Sequence, residues 1–176
     1  MNITVYLGAA LGNDPALEAA AKELGAWIGR SGNALVYGGS EAGLMGVLAK
    51  SVLEAGGRVT GVEPRFFIEA GYEFNEVTEL IVTETMAERK TKMIALGEAF
   101  IAFPGGTGTL EEISEVMSKI TLGHLDAPCI LYDLDGYWQD LKRMLEHMTE
   151  KGLFSKEKMG KISFAKDLDE IKALIG

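Results

Sequence analysis

The segment AFIAFPGGTGTLEE, residues 99–112, decides the fold because it joins a strand, a loop and a helix without a break. AFIAFP (99–104) is an apolar run typical of a buried strand. The glycines of GGTGT (105–109) follow it, and a helical pattern covers about 109–122. Glycine permits positive φ angles and a close approach of backbone to ligand. The segment therefore predicts a strand that turns directly into a helix.

The same alternation of strand and helix continues on both sides of this segment. Strands are predicted at 3–7, 34–39, 58–64, 79–84, 99–104 and 128–133, and near KISFA at 161–165. Helices are predicted after the N-cap Asp14, at 15–30, and at 43–57, 86–97, 109–122, 136–152 and 167–175. Residues 65–79 and 152–161 are expected to be mainly loop. We predict one Rossmann-like α/β domain over residues 1–176, with a doubly wound parallel sheet and helices on both faces.

The composition is that of an ordinary globular protein with an acidic charge balance. Hydrophobic residues make up 47%, charged residues 24%, and the formal net charge is -9. This charge argues against nucleic acid or an anionic membrane as partner, but permits a small anion in a locally positive pocket. The single cysteine, Cys129, lies in an apolar run and is expected in the core. The start, MNITVYLG, lacks the features of a signal peptide, so a cytoplasmic protein is expected.

The most unusual segments of the chain follow the predicted strands. They are Gly8, Gly38–Gly39, Met86–Lys90 and Pro104–Thr109. Ligands of open parallel sheets bind at the carboxyl ends of the strands, near the point where the strand order reverses. We therefore expect several of these segments to converge on one crevice.

The glycine loop has two interpretations. It is either a tight turn capped by Thr109 or a phosphate site, in which loop amides, the helix dipole and the hydroxyls of Thr107 and Thr109 meet an anion. A strand, a proline and GGTGT at a helix start together favour phosphate. The loop lacks the Lys-Ser/Thr of a Walker A motif. Neither GAALGND nor GGSEAG has the G-x-G-x-x-G dinucleotide spacing, so signatures of NTP hydrolysis and hydride transfer are both missing.

Charged residues beside the loop are candidates for chemistry. Glu111 and Glu112 could compensate the helix dipole, or one could face the crevice and hold ribose hydroxyls or orient a water. Arg89 lies near a predicted helix start, where the dipole disfavours a cation, so a bound phosphate or Glu112 is expected to compensate it. Lys92 is expected to be solvated. Arg89 beside Glu112 could orient the carboxylate and stabilise developing charge.

Two motifs in these segments resemble the Lonely Guy family, the cytokinin riboside 5'-monophosphate phosphoribohydrolases, sometimes labelled lysine decarboxylases. The family's P-G-G-x-G-T-x-x-E signature corresponds to Pro104–Glu112, and its M-H-x-R-K box corresponds to MAERK at 86–90. The stretches LVYGGSEAGLMGVLAKSVLEAGGRVTGVEP and LGHLDAPCILYDLDGYW also fit. The resemblance implies hydrolysis of the N-glycosidic bond of AMP or an N6-substituted adenine-type nucleoside 5'-monophosphate, giving free base and ribose 5-phosphate.

The resemblance also assigns roles to residues. It implies that Arg89 and Glu112 are the catalytic pair. Together with the strand-end segments and the glycine loop, it gives a candidate substrate-binding set of Gly8, Gly39, Met86, Arg89, Lys90, Gly105, Gly106, Thr107, Gly108, Thr109, Glu111 and Glu112. It implies no metal and no organic cofactor. The family forms dimers or larger assemblies, so a homodimer or higher homo-oligomer is expected, with the apolar side of ISEVMSKITLG (113–123) in the subunit interface.

Three positions depart from the family pattern. Ala87 replaces a histidine, Ala9 replaces a serine, and Gly71 falls where a glutamate is expected, for which Glu69 or Glu73 could substitute. These departures affect the base pocket but leave Arg89 and Glu112 in place. The alternative function is a non-catalytic nucleotide or molybdenum-cofactor carrier, because proteins that resemble such carriers share the PGG-x-GT loop. Arg89 together with Glu112 favours the enzyme.

Overall fold

The computed structural model describes residues 1–176. Its strands are β1 (Asn2–Tyr6), β2 (Ala34–Tyr37), β3 (Arg58–Pro64), β4 (Glu79–Thr83), β5 (Ala99–Ala102), β6 (Cys129–Tyr132) and β7 (Ile162–Ala165). Its helices are α1 (Pro15–Arg30), α2 (Gly43–Glu54), α3 (Arg65–Glu69), α4 (Met86–Leu96), α5 (Thr107–Thr121), α6 (Gln139–Glu150), α7 (Lys156–Met159) and α8 (Leu168–Ile175). None of the helices is both long and apolar enough to cross a bilayer.

The seven strands form one parallel sheet in the order β4-β3-β2-β1-β5-β6-β7. The chain winds outward from β1 to β4 and then crosses back to place β5 on the other side of β1. The strand order therefore reverses between β1 and β5, which is where open α/β sheets bind ligands.

Helices cover both faces of the sheet. One core joins the sheet to α1, α2 and α8, with Leu24, Leu48 and Ile171 among its buried residues. The other core joins it to α4, α5 and α6 and includes Met93 and Ile113. The predicted doubly wound α/β fold is confirmed.

The start of α5 differs from the prediction. The helix begins at Thr107 instead of residue 109, and its N-cap is Gly106, with no side-chain cap. Thr109 lies inside the first turn and is buried. Its side chain packs against Gly105, where any Cβ would collide with it. The alternative of a tight turn capped by Thr109 is therefore wrong, because its side chain faces the loop.

Two further predictions need correction. Ile113, Val116, Met117 and Ile120 pack in the core of this chain, so assigning this side of α5 to a subunit interface was wrong. The pattern alone could not distinguish the two, because both environments require an apolar helix face. The helix predicted from 136 begins at Gln139, after a 3₁₀ turn at Leu134–Gly136 that is broken by the positive φ of Asp135.

Candidate active site

A cleft of about 360 Å³ lies beside the carboxyl ends of β1 and β5. The predicted residues that line it are Gly8, Met86, Arg89, Gly106, Thr107, Gly108, Thr109, Glu111 and Glu112. Gly39, Lys90 and Gly105 lie beside the cleft and do not line it. Leu7, Ala10 and Met45 add apolar wall that the sequence analysis did not include. Their signal was their position after β1 and at the start of α2.

The start of α5 leaves its backbone amides unoccupied by side chains. The first amides of any α-helix have no partner within the helix, and Gly106 supplies no side-chain cap. No acidic residue lies in the first turn, so the positive end of the helix dipole is uncompensated there. Because α5 begins at Thr107, Glu111 and Glu112 lie beyond the first turn. Dipole compensation therefore does not account for them, since this effect fades after one turn.

A tyrosine from the next strand's loop supports the glycine loop. The Tyr137 hydroxyl donates a hydrogen bond of 2.6 Å to the carbonyl oxygen of Gly105. The turn that carries Tyr137 is itself held by Asp133, whose carboxylate accepts from the Trp138 amide at 2.6 Å and from the Gln139 side chain. Sequence reasoning missed Tyr137. Its one signal was an aromatic residue after an Asp-Gly turn at the end of β6.

Arg89 and Glu112 form a buried ion pair at the cleft. Arg89 Nη1 lies 2.6 Å from Glu112 Oε1, and each side chain is 9% exposed. Arg89 Nε also donates to the Val62 carbonyl oxygen at 3.0 Å, and any Cβ at Gly38 would collide with Nη2. Burial raises the pKa of Glu112, while the Arg89 charge opposes that rise. The guanidinium is thus held by Glu112, by the Val62 carbonyl oxygen and by close packing on Gly38, and its charge offsets that of the buried Glu112 carboxylate.

Lys90 and Glu111 form a second pair on the outer side of the same helices. Lys90 Nζ lies 2.7 Å from Glu111 Oε1 and 3.4 Å from Glu115 Oε2. The hydrogen bond to Glu111 raises the pKa of Lys90. The Lys90 ammonium is therefore committed to carboxylates and is held beside the cleft.

A buried acid, Glu63, lies at the carboxyl end of β3 behind Arg89. It is 2% exposed, and its Oε2 atom is buried with no hydrogen-bond partner. Any Cβ at Gly39, which has a φ of 92°, would collide with this carboxylate. Burial raises the pKa of Glu63 to about 7, although the Arg89 charge opposes the rise. Glu63 could not be recognised from the sequence, because GVEP resembles any strand that ends at a proline.

The departures from the family pattern occupy different places. Ala9 lies on the cleft wall, so the missing hydroxyl changes that wall. Ala87 lies in a groove between β4 and α4, away from the cleft. Gly71 has a φ of 79°, Glu69 is exposed, and Glu73 forms a β-bridge with Ser40. Glu73, and not Glu69, is therefore brought next to the Gly38–Gly39 segment.

The structure also bears on the predictions for Cys129 and for a metal site. Cys129 is 1% exposed, and burial raises its pKa to about 12, which confirms it as a core residue. No group of three or more His, Cys, Asp and Glu side chains is arranged to hold a metal ion. The predicted absence of a metal or cofactor continues to rest on the resemblance.

Known proteins resemble this chain over most of its length. Residues 45–175 match the family described as "Possible lysine decarboxylase". The cytokinin riboside 5'-monophosphate phosphoribohydrolase of Rhodococcoides fascians is 38% identical over 177 residues, which cover 99% of this chain and 88% of that protein. An Arabidopsis thaliana protein with the same enzyme name is 37% identical, covering 87% of this chain and 72% of its own length.

Solved structures share the fold at lower identity. The molybdenum cofactor carrier protein of Chlamydomonas reinhardtii superposes with a TM-score of 0.74 at 22% identity, covering 98% of this chain and 96% of its own. The molybdenum cofactor binding protein of Rippkaea orientalis gives 0.73 at 20% identity, covering 99% and 97%. These likenesses concern the scaffold alone. The family match and the enzymes that are more than a third identical show that the chain belongs to the Lonely Guy family, also described as possible lysine decarboxylases.

Proposed function

We propose that this protein is a hydrolase that cleaves the N-glycosidic bond of an adenine-type nucleoside 5'-monophosphate, either AMP or an N6-substituted, cytokinin-like analogue. The products are the free base and ribose 5-phosphate. The observation that carries the proposal is the buried Arg89–Glu112 pair on the wall of the cleft that also holds the uncapped start of α5. The enzyme names of relatives 37–38% identical support the same reaction.

The 5'-phosphate binds at the glycine loop in this proposal. The amides at the start of α5 and the hydroxyls of Thr107 and Thr109 supply donors, and the helix dipole supplies positive potential. Tyr137 holds the Gly105 carbonyl and so fixes the loop. A phosphate anchored there places the ribose at a fixed distance from Glu112, which converts binding energy into alignment of the sugar.

Glu112 acts on the ribose and on the attacking water. Glycosidic cleavage passes through an oxocarbenium-like state, which a nearby carboxylate stabilises. The C1'–N bond breaks, its electron pair leaves with the base, which takes up a proton, and the water oxygen bonds to C1' while losing its proton toward Glu112. Arg89 favours the ionised form of Glu112 against the effect of burial and fixes one of its oxygens.

The remaining predicted binding residues have supporting roles. Gly8 and Met86 line the ribose and base side of the cleft, and Glu111 is a secondary ribose contact. Three further residues act from beside the cleft. Gly39 makes room for Glu63, and Lys90 holds Glu111. The carbonyl oxygen of Gly105 accepts the hydrogen bond from Tyr137 that holds the loop backbone. The proposal includes one domain over residues 1–176, a homodimer or higher homo-oligomer, and a cytoplasmic location.

Binding without turnover is the alternative because this chain shares its fold with molybdenum cofactor carrier and binding proteins over nearly its whole length. Arg89 and Glu112 favour hydrolysis, because a carrier has no need of a buried carboxylate aimed at a sugar.

Incubation with AMP and with N6-isopentenyl-AMP tests the choice. Chromatography should detect adenine or isopentenyladenine together with ribose 5-phosphate. Glu112→Gln should bind either nucleotide in calorimetry yet release no base, which separates chemistry from binding. Saturable binding to the wild type with no base released from either nucleotide would instead favour the carrier.

A further inference from the structure

We propose that Glu63 is a positioning residue for Arg89. While Glu63 is neutral, the Arg89 guanidinium pairs with Glu112 alone. Once Glu63 is ionised, it competes with Glu112 for the guanidinium. This inference rests on the proposed function, because its consequence is read from base release. Glu63 does not line the cleft, so it acts on the reaction only through Arg89.

The backbone brings Glu63 and Arg89 to the same place. Arg89 Nε donates to the carbonyl oxygen of Val62, the residue before Glu63. A side chain at Gly38 would collide with Arg89 Nη2, and a side chain at Gly39 would collide with the Glu63 carboxylate. Two consecutive glycines therefore make room for the guanidinium on one side and the acid on the other.

The hydrogen bonding of Glu63 is incomplete. The Oε2 atom of Glu63 is buried and has no hydrogen-bond partner. The Oε1 atom of Glu112, in contrast, accepts a hydrogen bond from Arg89 Nη1. An unpartnered buried carboxylate oxygen is costly when charged, so it strongly favours either a proton or a cation. Arg89 is the cation whose charge acts on Glu63.

Three groups face Glu63 from the elements around it. Arg89 comes from α4, Glu73 from the loop after α3, and Tyr37 from β2, where its hydroxyl is also buried without a partner. Burial raises the pKa of Glu63 to about 7, and the Glu73 charge adds to the rise that Arg89 opposes. The proton on Glu63 is thus exchanged close to neutral pH.

The two states of Glu63 have different consequences for Glu112. Below the pKa of Glu63, Arg89 faces Glu112 as the one buried anion that it contacts. Above it, a second buried anion attracts the same guanidinium, so Arg89 is shared between two carboxylates. Turnover is therefore expected to fall as pH rises through about 7.

A pH profile of kcat tests this. In the wild type, kcat should fall about tenfold in total as pH rises through the pKa of Glu63, toward the lower turnover of the ionised form. Glu63→Gln holds this position neutral, so its profile should lose that alkaline decline. Glu73→Gln should move the decline to lower pH, because removing the Glu73 charge lowers the pKa of Glu63. Glu79→Gln, an exposed change on β4, is the matched control and should leave the profile unchanged.

A second measurement does not depend on turnover. Because the pKa of Glu63 is raised from 4.5 to about 7 in the folded protein, the folded state holds this proton more tightly than the unfolded state. The resulting stabilisation is fully present below pH 4.5 and is lost as pH rises through 7. The temperature midpoint of unfolding should therefore decrease from pH 4.5 to pH 7, and this decrease should be larger in the wild type than in Glu63→Gln. Parallel unfolding profiles, or identical kcat profiles in the two proteins, would overturn the inference. If the wild type releases no base at any pH, the proposed function fails, and the unfolding profile still decides whether Glu63 titrates.

Discussion

Two ion pairs join the same two helices and have opposite surroundings. Arg89–Glu112 and Lys90–Glu111 connect neighbouring residues of α4 with neighbouring residues of α5, at 2.6 and 2.7 Å. The first pair is 9% exposed at both ends, whereas Lys90 and Glu111 are 18% and 62% exposed. Consecutive helix residues point about 100° apart, so one step along each helix turns the pair from the buried interior toward solvent, while Glu111 still reaches the edge of the cleft.

The difference indicates what each pair is for. Moving two charges out of water costs several kcal/mol per ion, and a buried pair often contributes nothing net to stability. An exposed pair costs little and is worth about 0–1 kcal/mol. Arg89–Glu112 is therefore best explained by chemistry in the cleft, and Lys90–Glu111 by the packing of α4 on α5.

The largest difference should appear in catalysis. Glu112→Gln removes the carboxylate to which we assign stabilisation of the sugar cation, so base release should fall by at least about 100-fold. Glu111→Gln, the matched change in the exposed pair, should retain activity within about threefold, since it loses one secondary contact. Steady-state assays with AMP check both. Equal losses in the two variants would remove the distinction between the pairs.

The next difference concerns stability. Arg89→Ala leaves Glu112 buried and unpaired, which should lower the free energy of unfolding by about 3 kcal/mol at pH 8. Burial already raises the pKa of Glu112, and without Arg89 it should rise further. Stability is lost as pH rises through such a raised pKa, so the penalty should be smaller at pH 5. Urea unfolding at both pH values measures this. Lys90→Ala is the control, with a loss below about 1 kcal/mol at either pH.

A smaller effect should come from a residue that touches neither pair. Tyr137→Phe removes the hydrogen bond to Gly105, worth about 1 kcal/mol, and loosens the glycine loop to which we assign the phosphate. KM for AMP should rise about fivefold with little change in kcat. Tyr72→Phe, at an exposed tyrosine away from the loop, is the control. A fall in kcat with unchanged KM would show that Tyr137 contributes to chemistry instead of anchoring.

The smallest effect is expected from salt. Because Glu111 is largely exposed, its attraction for Lys90 is screened by ions, whereas Arg89 and Glu112 are shielded from them. Glu111→Gln should therefore cost about 0.5 kcal/mol of unfolding free energy at low salt and almost nothing at 1 M NaCl. A cost that is unchanged by salt would mean that the outer pair is more than a surface contact.

The parts of the molecule that local sequence determines were predictable. The alternation of strands and helices gave the fold class, and GGTGT gave the loop between β5 and α5. Arg89 and Glu112 could be brought together because both follow strands whose carboxyl ends share one edge. Glu63 and Tyr137 were missed because their importance depends on contacts across 26 and 32 positions with Arg89 and Gly105. The start of α5 was placed two residues too late, because Thr and Gly have low helix propensity and Thr107 and Gly108 therefore resemble loop.

The position of β5 in the sheet has a consequence for folding. β1 pairs with β2 on one side and with β5 on the other, and the β1–β5 register joins Ile3 to Ala99. Gly8 and Gly105 of the glycine loop face each other only after that distant pairing has formed, with nearly a hundred residues closed into a loop. Contacts so far apart in sequence form slowly, because the chain entropy is lost before the contact is gained. The cleft should therefore be among the last parts of the protein to assemble, and a growing chain should acquire it only after β5 has been synthesised.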